Sequence, residues 1–239
     1  MKQISQARRF SSSARLGTAA IAVLVIATLV LYVYNERISR AQYESTAQKW
    51  SLIVRAITVD DHIIGSPTAP IHVVVYSDLS CPYCKSFFES LVPRLQAKYG
   101  AKIVIAFRHL PLKSHPRALA EAEASECVYK AGGNDAFWRF ANVVYANPDY
   151  ESGLSDQGLA TIAGKVLPDA AGFTSCIKDG GGTARVKKDA LEAAVAGLSI
   201  TPSVVVKSSR RATIIAGDYY GQIVSAINYQ LQVSASAGE

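Results

Sequence analysis

Residues 80–85 read Ser80-Cys81-Pro82-Tyr83-Cys84-Lys85 and lie between two apolar stretches of different period. The run before them, residues 71–76, is short and rich in β-branched residues, as expected of a buried parallel strand. The segment after them, residues 87–99, repeats apolar residues at helical spacing. The sequence therefore predicts a Cys-x-x-Cys pair that opens a helix directly after a strand.

This position predicts reactive cysteines. At a helix N-terminus the unpaired backbone N–H groups and the helix dipole stabilise an anion. Cys81 is therefore expected to ionise at a lower pH than a free cysteine and to act as a nucleophile. Cys84 lies one turn further on, on the same face, where it can form a disulfide with Cys81. Pro82 suits the first turn because its missing N–H is not needed there.

Other roles of such a pair are half of a zinc or copper site and an inert structural disulfide. Zinc takes four ligands, usually from a second closely spaced pair. The remaining cysteines, Cys127 and Cys176, stand singly and far along the chain. Redox chemistry is therefore the favoured interpretation, and no metal is expected.

Four motifs extend the pattern. They are Asp61-His62-Ile63-Ile64-Gly65-Ser66-Pro67-Thr68-Ala69-Pro70, Tyr76-Ser77-Asp78-Leu79-Ser80-Cys81-Pro82-Tyr83-Cys84, Phe107-Arg108-His109-Leu110-Pro111-Leu112 and Ile200-Thr201-Pro202-Ser203. In order and spacing they resemble the DsbA-like family of thioredoxin-fold thiol–disulfide oxidoreductases, particularly its membrane-anchored bacterial members. The resemblance covers about residues 60–231. It implies an α/β thioredoxin fold with an inserted all-helical domain, and thiol–disulfide exchange without a cofactor.

The resemblance also implies roles for residues outside the cysteine pair. Pro202 is expected to be a cis-proline that faces the pair, and Thr201 to offer its backbone to an extended substrate peptide. Tyr83 stands where the best-known oxidases have histidine, so one source of positive charge near the thiolate is missing. A Pro-Tyr pair and a threonine before the cis-proline also occur in the related isomerases.

An oxidase is the favoured activity. An isomerase or reductase is the alternative within the class, and a non-catalytic, chaperone-like peptide-binding module is the alternative outside it. The expected substrates are exported proteins that carry thiols or disulfides. The expected membrane redox partner is a quinone-linked oxidase or, in the alternative, an electron donor.

The net charge of +6 is unevenly distributed along the 239 residues. Residues 1–55 carry eight basic and two acidic residues, whereas the remainder carries 17 of each. The basic character thus belongs to the N-terminal segment and gives no support to nucleic-acid binding.

Residues 16–34 contain no charged side chain, and this length is close to the ~20 residues that a membrane-spanning helix needs. The basic residues of segment 1–15 are expected to stay in the cytoplasm, which places everything after the anchor outside, in the periplasm or at the cell surface. A cleaved signal peptide is the alternative, because Ser39-Arg40-Ala41 has small residues at the right spacing, although the apolar run is long for one. Both interpretations export the domain.

The rest of the chain divides by its periodicity. Residues 35–56 are predicted to form a helical stalk or linker, or a helix that packs on its own domain or lies at the membrane surface. Residues 57–113 and 183–233 supply the thioredoxin-like domain, and residues 114–182 are helical throughout and form the insertion. The polar tail, residues 234–239, is expected to be disordered.

Four further side chains are candidates for a supporting role. Asp78 is expected either to raise the pKa of Cys81 and carry protons, or to bond nearby backbone. His109 either tunes Cys81 electrostatically or is structural. In an exported domain Cys127 and Cys176 most simply form a second disulfide, which would close a loop of about 50 residues and contribute roughly 3–5 kcal/mol. A second redox pair that relays electrons to the first is the alternative.

Overall fold

A computed structural model describes the backbone of residues 3–236 and the side chains of residues 20–235. The α-helices are α1 (Gln3–Ile53), α2 (Pro82–Ser86), α3 (Val92–Tyr99), α4 (Ala118–Ala146), α5 (Asp156–Val166), α6 (Ala171–Lys178), α7 (Thr183–Val195) and α8 (Tyr220–Ser236). A π-helical segment (Phe87–Leu91) joins α2 to α3. The strands are β1 (His62–Gly65), β2 (Ile71–Ser77), β3 (Ile103–His109), β4 (Ser203–Lys207) and β5 (Ala212–Ala216). The chain forms two compact units, residues 1–46 and residues 47–239.

The first unit consists of most of α1. Its apolar side chains from Ile21 to Tyr34 are exposed, and the helix is long and apolar enough to cross a membrane. Because a signal sequence has the same properties, the anchor at residues 16–34 stays a prediction. The side chains of the predicted basic segment, residues 1–15, lie outside the described residues.

The second unit is built on a five-stranded sheet with the order β1-β3-β2-β4-β5. Strands β2 and β3 are parallel, and the other three pairs are antiparallel. The parallel pair is joined by the segment that contains α2 and α3, so both strands end at the edge of the sheet from which Cys81 follows. The predicted thioredoxin fold is confirmed.

Both faces of β2 are buried, which explains why the strand is apolar without alternation. Val73 and Val75 face the core formed with the active-site helices, α4 and α8. Val74 and Tyr76 face a smaller core on the other side of the sheet, which includes Val54 and residues of α7.

The helical insertion packs against the edge of the sheet through α4. Gly133 has φ 73° and interrupts the helical geometry within α4. The next residue, Asn134, accepts a hydrogen bond from the N–H of Ile63 at 2.9 Å and donates one to its carbonyl at 3.0 Å. The side-chain amide thus pairs the backbone of edge strand β1, which would otherwise be open to other chains.

For residues 47–56 the alternative of packing on the chain's own domain holds and the stalk is wrong, because these residues belong to the second unit. Val54 is fully buried. Lys207 donates to the carbonyls of Ser51 and Val54, and the buried Arg108 donates to the carbonyls of residues 55 and 56 at 3.1 Å each. Two cations on the sheet therefore bind the carbonyl groups at and just after the end of α1, which the helix leaves without partners.

The predicted disordered tail is also corrected in part. Residues 234–236 continue α8, whose buried positions include Ile223 and Ile227. Residues 237–239 lie outside the described residues.

These contacts predict that the folded domain begins before residue 57. A chain that begins at residue 47 should unfold cooperatively, whereas one that begins at residue 57 should lose about 3–5 kcal/mol of unfolding free energy. The reason is that Asp189 and Glu192 are left without Arg55, and Arg108 without two carbonyl partners. Urea denaturation of the two chains measures the difference, and equal midpoints would contradict it.

Candidate active site

Cys81 occupies the N-cap position of α2. Its backbone is extended, with φ −90° and ψ 120°, and its N–H donates to the carbonyl of Asp78 at 3.2 Å. Pro82 takes the first helical position. The carbonyl of Cys81 accepts the N–H of Lys85 at 3.1 Å, which closes the first turn of the helix and brings Cys84 beneath Cys81. Both cysteines are thiols in this structure.

The Cys81 thiol has a pKa of about 6, well below the ordinary value. The largest contribution is a hydrogen bond from the Cys84 thiol, and burial opposes it. The side chain of Thr201 and the backbone N–H groups of Cys84 and Tyr83 also lower the pKa. The helix terminus therefore contributes as predicted, but the partner cysteine contributes more.

Cys84 behaves in the opposite way. It is fully buried, and burial raises the pKa of its thiol well above the usual range. The neighbouring Cys81 raises it further, because two negative sulfurs would repel each other and because the Cys84 thiol donates its proton to Cys81. At neutral pH the pair thus holds one thiolate, on Cys81, and one proton, on Cys84.

The Thr201–Pro202 peptide bond is cis. The pairing of Tyr76 with Ser203 aligns the end of β2 with the start of β4, so the residues just before β4 lie against the cysteine pair. In its protonated form the Cys81 thiol donates to the carbonyl of Thr201, and the sulfur–oxygen distance is 3.5 Å. The Thr201 hydroxyl has no hydrogen-bond partner among the described residues. It is therefore available to the Cys81 thiolate, in agreement with the lowered pKa.

Tyr83 is exposed, with 65% of its surface accessible. Cys81, by contrast, is only 3% exposed. Ile200, which precedes Thr201, is also half exposed. A peptide that reaches Cys81 would therefore pass over Tyr83 and Ile200, which offer apolar contacts.

Asp78 bonds nearby backbone, as the second of its two predicted roles describes. Its carboxylate accepts the N–H groups of Ser80 and Leu112 at 2.8 Å each, and it contacts Nδ1 of His115 at 2.8 Å. The side chain thereby ties the loop that precedes Cys81 to the loop that follows β3. Asp78 therefore lies close to Cys81 because it fixes the conformation of the loop that precedes Cys81.

His109 is structural in its contacts. Its Nε2 lies 2.8 Å from Oε1 of Glu126, and His62 contacts the same oxygen at 2.6 Å. Burial would raise the pKa of Glu126, but these two hydrogen bonds outweigh it and hold the pKa well below its usual range. The backbone N–H of His109 donates to the carboxylate of Asp189 at 3.1 Å.

His62, His109 and Glu126 are also ligand types that bind zinc, and their ligand atoms lie within 4.8 Å of one another. Ligands around tetrahedral zinc are separated by about 3.3 Å, given bonds of about 2.0–2.1 Å. The shorter contacts of 2.6 and 2.8 Å to the shared oxygen are those of direct hydrogen bonds. The arrangement thus favours a buried hydrogen-bonded cluster.

Cys127 and Cys176 are joined by a disulfide with a Cα–Cα distance of 5.5 Å. It links α4 to α6 inside the helical insertion. A side chain at Gly181 would come within 2.6 Å of the Cys176 sulfur, which explains a glycine at this point of the chain.

Other residues of the site were not predicted from the sequence. Glu121 is fully buried, and its carboxylate accepts hydrogen bonds from the Ser80 hydroxyl at 2.6 Å and from the N–H of Leu154 at 2.9 Å. Burial raises its pKa. Tyr150, from the loop between α4 and α5, lies under the ammonium group of Lys85, 4.7 Å from its ring centroid. Because both come from the insertion, only the packing of α4 brings them to the active-site loop.

The fold and the cysteine pair at a helix N-terminus, opposite a cis-proline, define a DsbA-like thioredoxin-fold protein. A family model described as thioredoxin matches residues 57–225, and the chain belongs to this family. The crystal structure of oxidised BdbD from Bacillus subtilis superposes with a TM-score of 0.63 and 23% identity over 72% of this chain and 94% of that one.

Two curated relatives are similar in sequence. The probable disulfide bond formation protein D of Bacillus cereus is 27% identical over 175 residues, which cover 71% of this chain and 78% of that protein. The Na(+)/H(+) antiporter NhaA 3 of Salinispora tropica is 33% identical over 151 residues, which cover 63% of this chain. The chain spans only 22–32% of the length of such antiporters. Together these comparisons show a thioredoxin-family domain.

The opposed pKa values of the two cysteines predict selective alkylation. In the reduced, folded protein iodoacetamide should modify Cys81 with a rate that has its midpoint near pH 6, and should leave the buried Cys84 unmodified. Mass spectrometry of the peptides after a pH series measures both. Modification of Cys84 first would contradict the assignment.

A matched pair of variants tests the cause of the low pKa. Cys84→Ala removes the largest hydrogen-bond donor to Cys81, so the alkylation midpoint should move up towards the ordinary cysteine value. Cys84→Ser keeps a donor at the same place and should shift it less. Equal midpoints in both variants and the native protein would mean that the Cys84 side chain does not lower the Cys81 pKa.

Proposed function

We propose that this protein is a thiol–disulfide oxidoreductase that acts on exported proteins outside the cytoplasm, with Cys81 as the nucleophile and Cys84 as the resolving cysteine. The observation that carries the proposal is a single arrangement. A Cys81 thiol with a pKa of about 6 lies against the residue before a cis-proline and above a buried Cys84 with a raised pKa. These are the two protonation states that exchange requires.

In the oxidase direction the protein begins as the Cys81–Cys84 disulfide. A substrate thiolate attacks the Cys81 sulfur, a mixed disulfide forms, and the electron pair of the broken bond leaves on Cys84, which takes up a proton. A second thiolate of the same substrate then attacks the substrate sulfur that is bonded to Cys81, which forms the substrate disulfide and releases Cys81 as a thiolate. The substrate has lost two electrons and gained a disulfide, and the protein has become the dithiol.

Two observations support this direction, and a third supports the location. A thiolate that is stable at neutral pH is a good leaving group, so the second step favours release of an oxidised substrate. The Bacillus cereus relative is named a probable disulfide bond formation protein, which describes the same direction. The long apolar helix α1 supports a membrane anchor with the domain on the outer side. A membrane redox partner would then reoxidise the dithiol.

Substrate would bind as an extended segment over the exposed surface of Tyr83 and Ile200. The backbone of Thr201, next to Cys81, supports strand-like pairing with such a segment. Because Cys81 itself is almost buried, only a flexible or unfolded segment can reach its sulfur. Reduced, newly exported proteins have such segments.

The assignment of the cysteines predicts which variant traps substrate. With a peptide that contains two cysteines, Cys84→Ser should accumulate a stable mixed disulfide on Cys81, because no resolving thiol remains. Cys81→Ser should accumulate little, since Cys84 is buried and protonated. Non-reducing electrophoresis and peptide mapping measure the adducts. Better trapping by Cys81→Ser would overturn the proposal, and absence of adducts on both would favour a non-catalytic binding module.

The reduction potential against glutathione decides between oxidase and reductase, and its pH dependence tests the mechanism. Between pH 6 and 8 reduction takes up two electrons and one proton, so the potential should fall by about 30 mV per pH unit, and by about twice that below pH 6. The lowered Cys81 pKa stabilises the dithiol form above pH 6 and thus raises the potential.

Thr201→Val serves as the matched variant, because it removes the hydroxyl donor with little change in volume. It should raise the Cys81 pKa and lower the potential at pH 7. A slope of 60 mV per unit through pH 8 would mean that Cys81 is not a thiolate in the dithiol form. A potential as low as that of the ~−270 mV reductant thioredoxin would favour the reductase alternative.

A further inference from the structure

The helical insertion encloses a cavity that thiol–disulfide exchange does not use. The cavity lies between α4, α5, α6 and the loop of residues 180–182, and its volume is about 270 Å³. This volume is close to the lower end of the range for small-molecule sites, ~300–1,000 Å³. All the residues that line it belong to the insertion, and neither Cys81 nor Cys84 is among them.

Most of the cavity wall is apolar. The Cys127–Cys176 disulfide, which links α4 to α6, forms part of it. The apolar side chains of the wall come from the same three helices and are Ala120, Ala124, Leu159, Ala160, Phe173 and Ile177. Water finds few hydrogen-bond partners at such a wall, so the cavity favours an apolar occupant.

The loop side of the cavity carries no side chain, because residues 180–182 are three consecutive glycines. A Cβ at Gly181 would come within 2.6 Å of the Cys176 sulfur, and one at Gly182 within 2.4 Å of the Glu123 carbonyl oxygen. The glycines therefore let the loop approach α4 and α6 closely, and this approach brings the start of α7 to the cavity.

Two carboxylate side chains line the cavity, whereas no Lys, Arg or His among the described residues does. Asp156 is neutralised by Arg117, with which it forms an ion pair. Glu123 is half-buried and has no cation within ion-pair distance in the part of the chain that the structure describes. Lys130, on the same helix, donates instead to the carbonyl of Gly181. No side chain therefore compensates the charge of Glu123.

The Glu123 carboxylate lies where the Gly180 side of the cavity meets the N-terminus of α7. Its Oε1 accepts a hydrogen bond from the Thr183 hydroxyl at 2.7 Å, and a Cβ at Gly180 would lie 3.6 Å from the same hydroxyl. The N-terminus of α7 compensates part of the negative charge. Oε2 accepts no hydrogen bond from the described residues, so one carboxylate oxygen is free for a further donor.

We propose that this cavity binds a small apolar amine, with its apolar body between α4, α5 and α6 and its ammonium group on Glu123 Oε2. Charge complementarity selects the amine, because Glu123 repels an anion and gains no countercharge from a neutral molecule. Hydrogen bonds from an ammonium group to a carboxylate are roughly twice as strong as neutral ones. The inference goes beyond the proposed function and does not depend on it, since the cysteine pair is not part of the cavity.

Phenethylamine is the probe for this site, because it joins one aromatic ring to a primary amine. Phenethyl alcohol and hydrocinnamate carry the same ring with a neutral and an anionic end. Titration of each probe into the full chain in detergent, followed by NMR, measures the affinities. Phenethylamine should bind saturably, the alcohol about tenfold more weakly, which corresponds to loss of one charge-assisted hydrogen bond, and hydrocinnamate more weakly still.

A matched pair of variants tests the role of Glu123 and corrects for uptake of the probe by detergent. Glu123→Gln removes the charge but keeps an oxygen for the Thr183 hydroxyl, so the affinity for phenethylamine should fall about tenfold and that for the alcohol should stay. Asp135→Asn removes a charge from an exposed position of the same helix outside the cavity and should change neither affinity.

A cavity-filling variant and the amide spectrum locate the site. Ala160→Phe fills the cavity from α5 and should abolish binding of both the amine and the alcohol. The amide shifts that phenethylamine causes in the native protein should lie in α5, in α6 and in residues 180–182. If Ala160→Phe does not fold, Ala120→Phe, which fills the cavity from α4, takes its place.

The outcomes are distinct. Saturable binding of the amine that weakens in Glu123→Gln and disappears in the filled variant supports the inference. Equal affinities for the amine and the alcohol overturn it, as does an unchanged affinity in Glu123→Gln. Absence of saturable binding to the native protein, or amide shifts confined to the surface of Tyr83 and Ile200, also overturns it. Failure of the native protein to form mixed disulfides would instead refute only the proposed function.

Discussion

The contact between the Cys81 sulfur and the carbonyl of Thr201 joins two points of the chain that are 120 residues apart. It depends on the antiparallel register of β2 and β4, which aligns Tyr76 with Ser203. A register shift by one residue would turn the side chains of β4 to the opposite face and move Thr201 away from the sulfur. The continuous burial of both strands prevents such a shift, because each face carries its own apolar core.

The charge on Cys81 is stabilised by hydrogen-bond donors, and the nearby acids are occupied elsewhere. Asp78 accepts backbone N–H groups of the surrounding loops. Glu121 accepts the Ser80 hydroxyl and the N–H of Leu154. Each carboxylate thus connects the active-site loop to another part of the fold, and Glu121 connects it to the helical insertion. The insertion therefore also helps to hold the cysteine pair in place.

A second polar cluster lies on the opposite face of the sheet and joins the N-terminal part of the domain to its core. Arg108 binds Asp61 and Glu192 as well as two backbone carbonyls, and Arg55 binds Asp189 and Glu192. Removal of one partner from such a cluster is costly, because it leaves a buried charge uncompensated. Residues 47–56 are consequently part of the folded domain, although their sequence is polar enough to resemble a stalk.

The sequence by itself determined the elements that local periodicity and helix-end chemistry specify. Strand, Cys-x-x-Cys and helix could be predicted around Cys81, since the dipole and free N–H groups of a helix terminus are local properties. The cis conformation of Pro202 was expected from the family resemblance. Only the tertiary structure decided the contacts of side chains that are distant in sequence. It assigned Asp78 to backbone and His109 to Glu126, and brought Glu121 and Tyr150 to the active-site loop. The physical reason for these contacts is packing. Burial against a particular neighbour sets the hydrogen-bond partners and the pKa of each group, and no local sequence pattern specifies that neighbour.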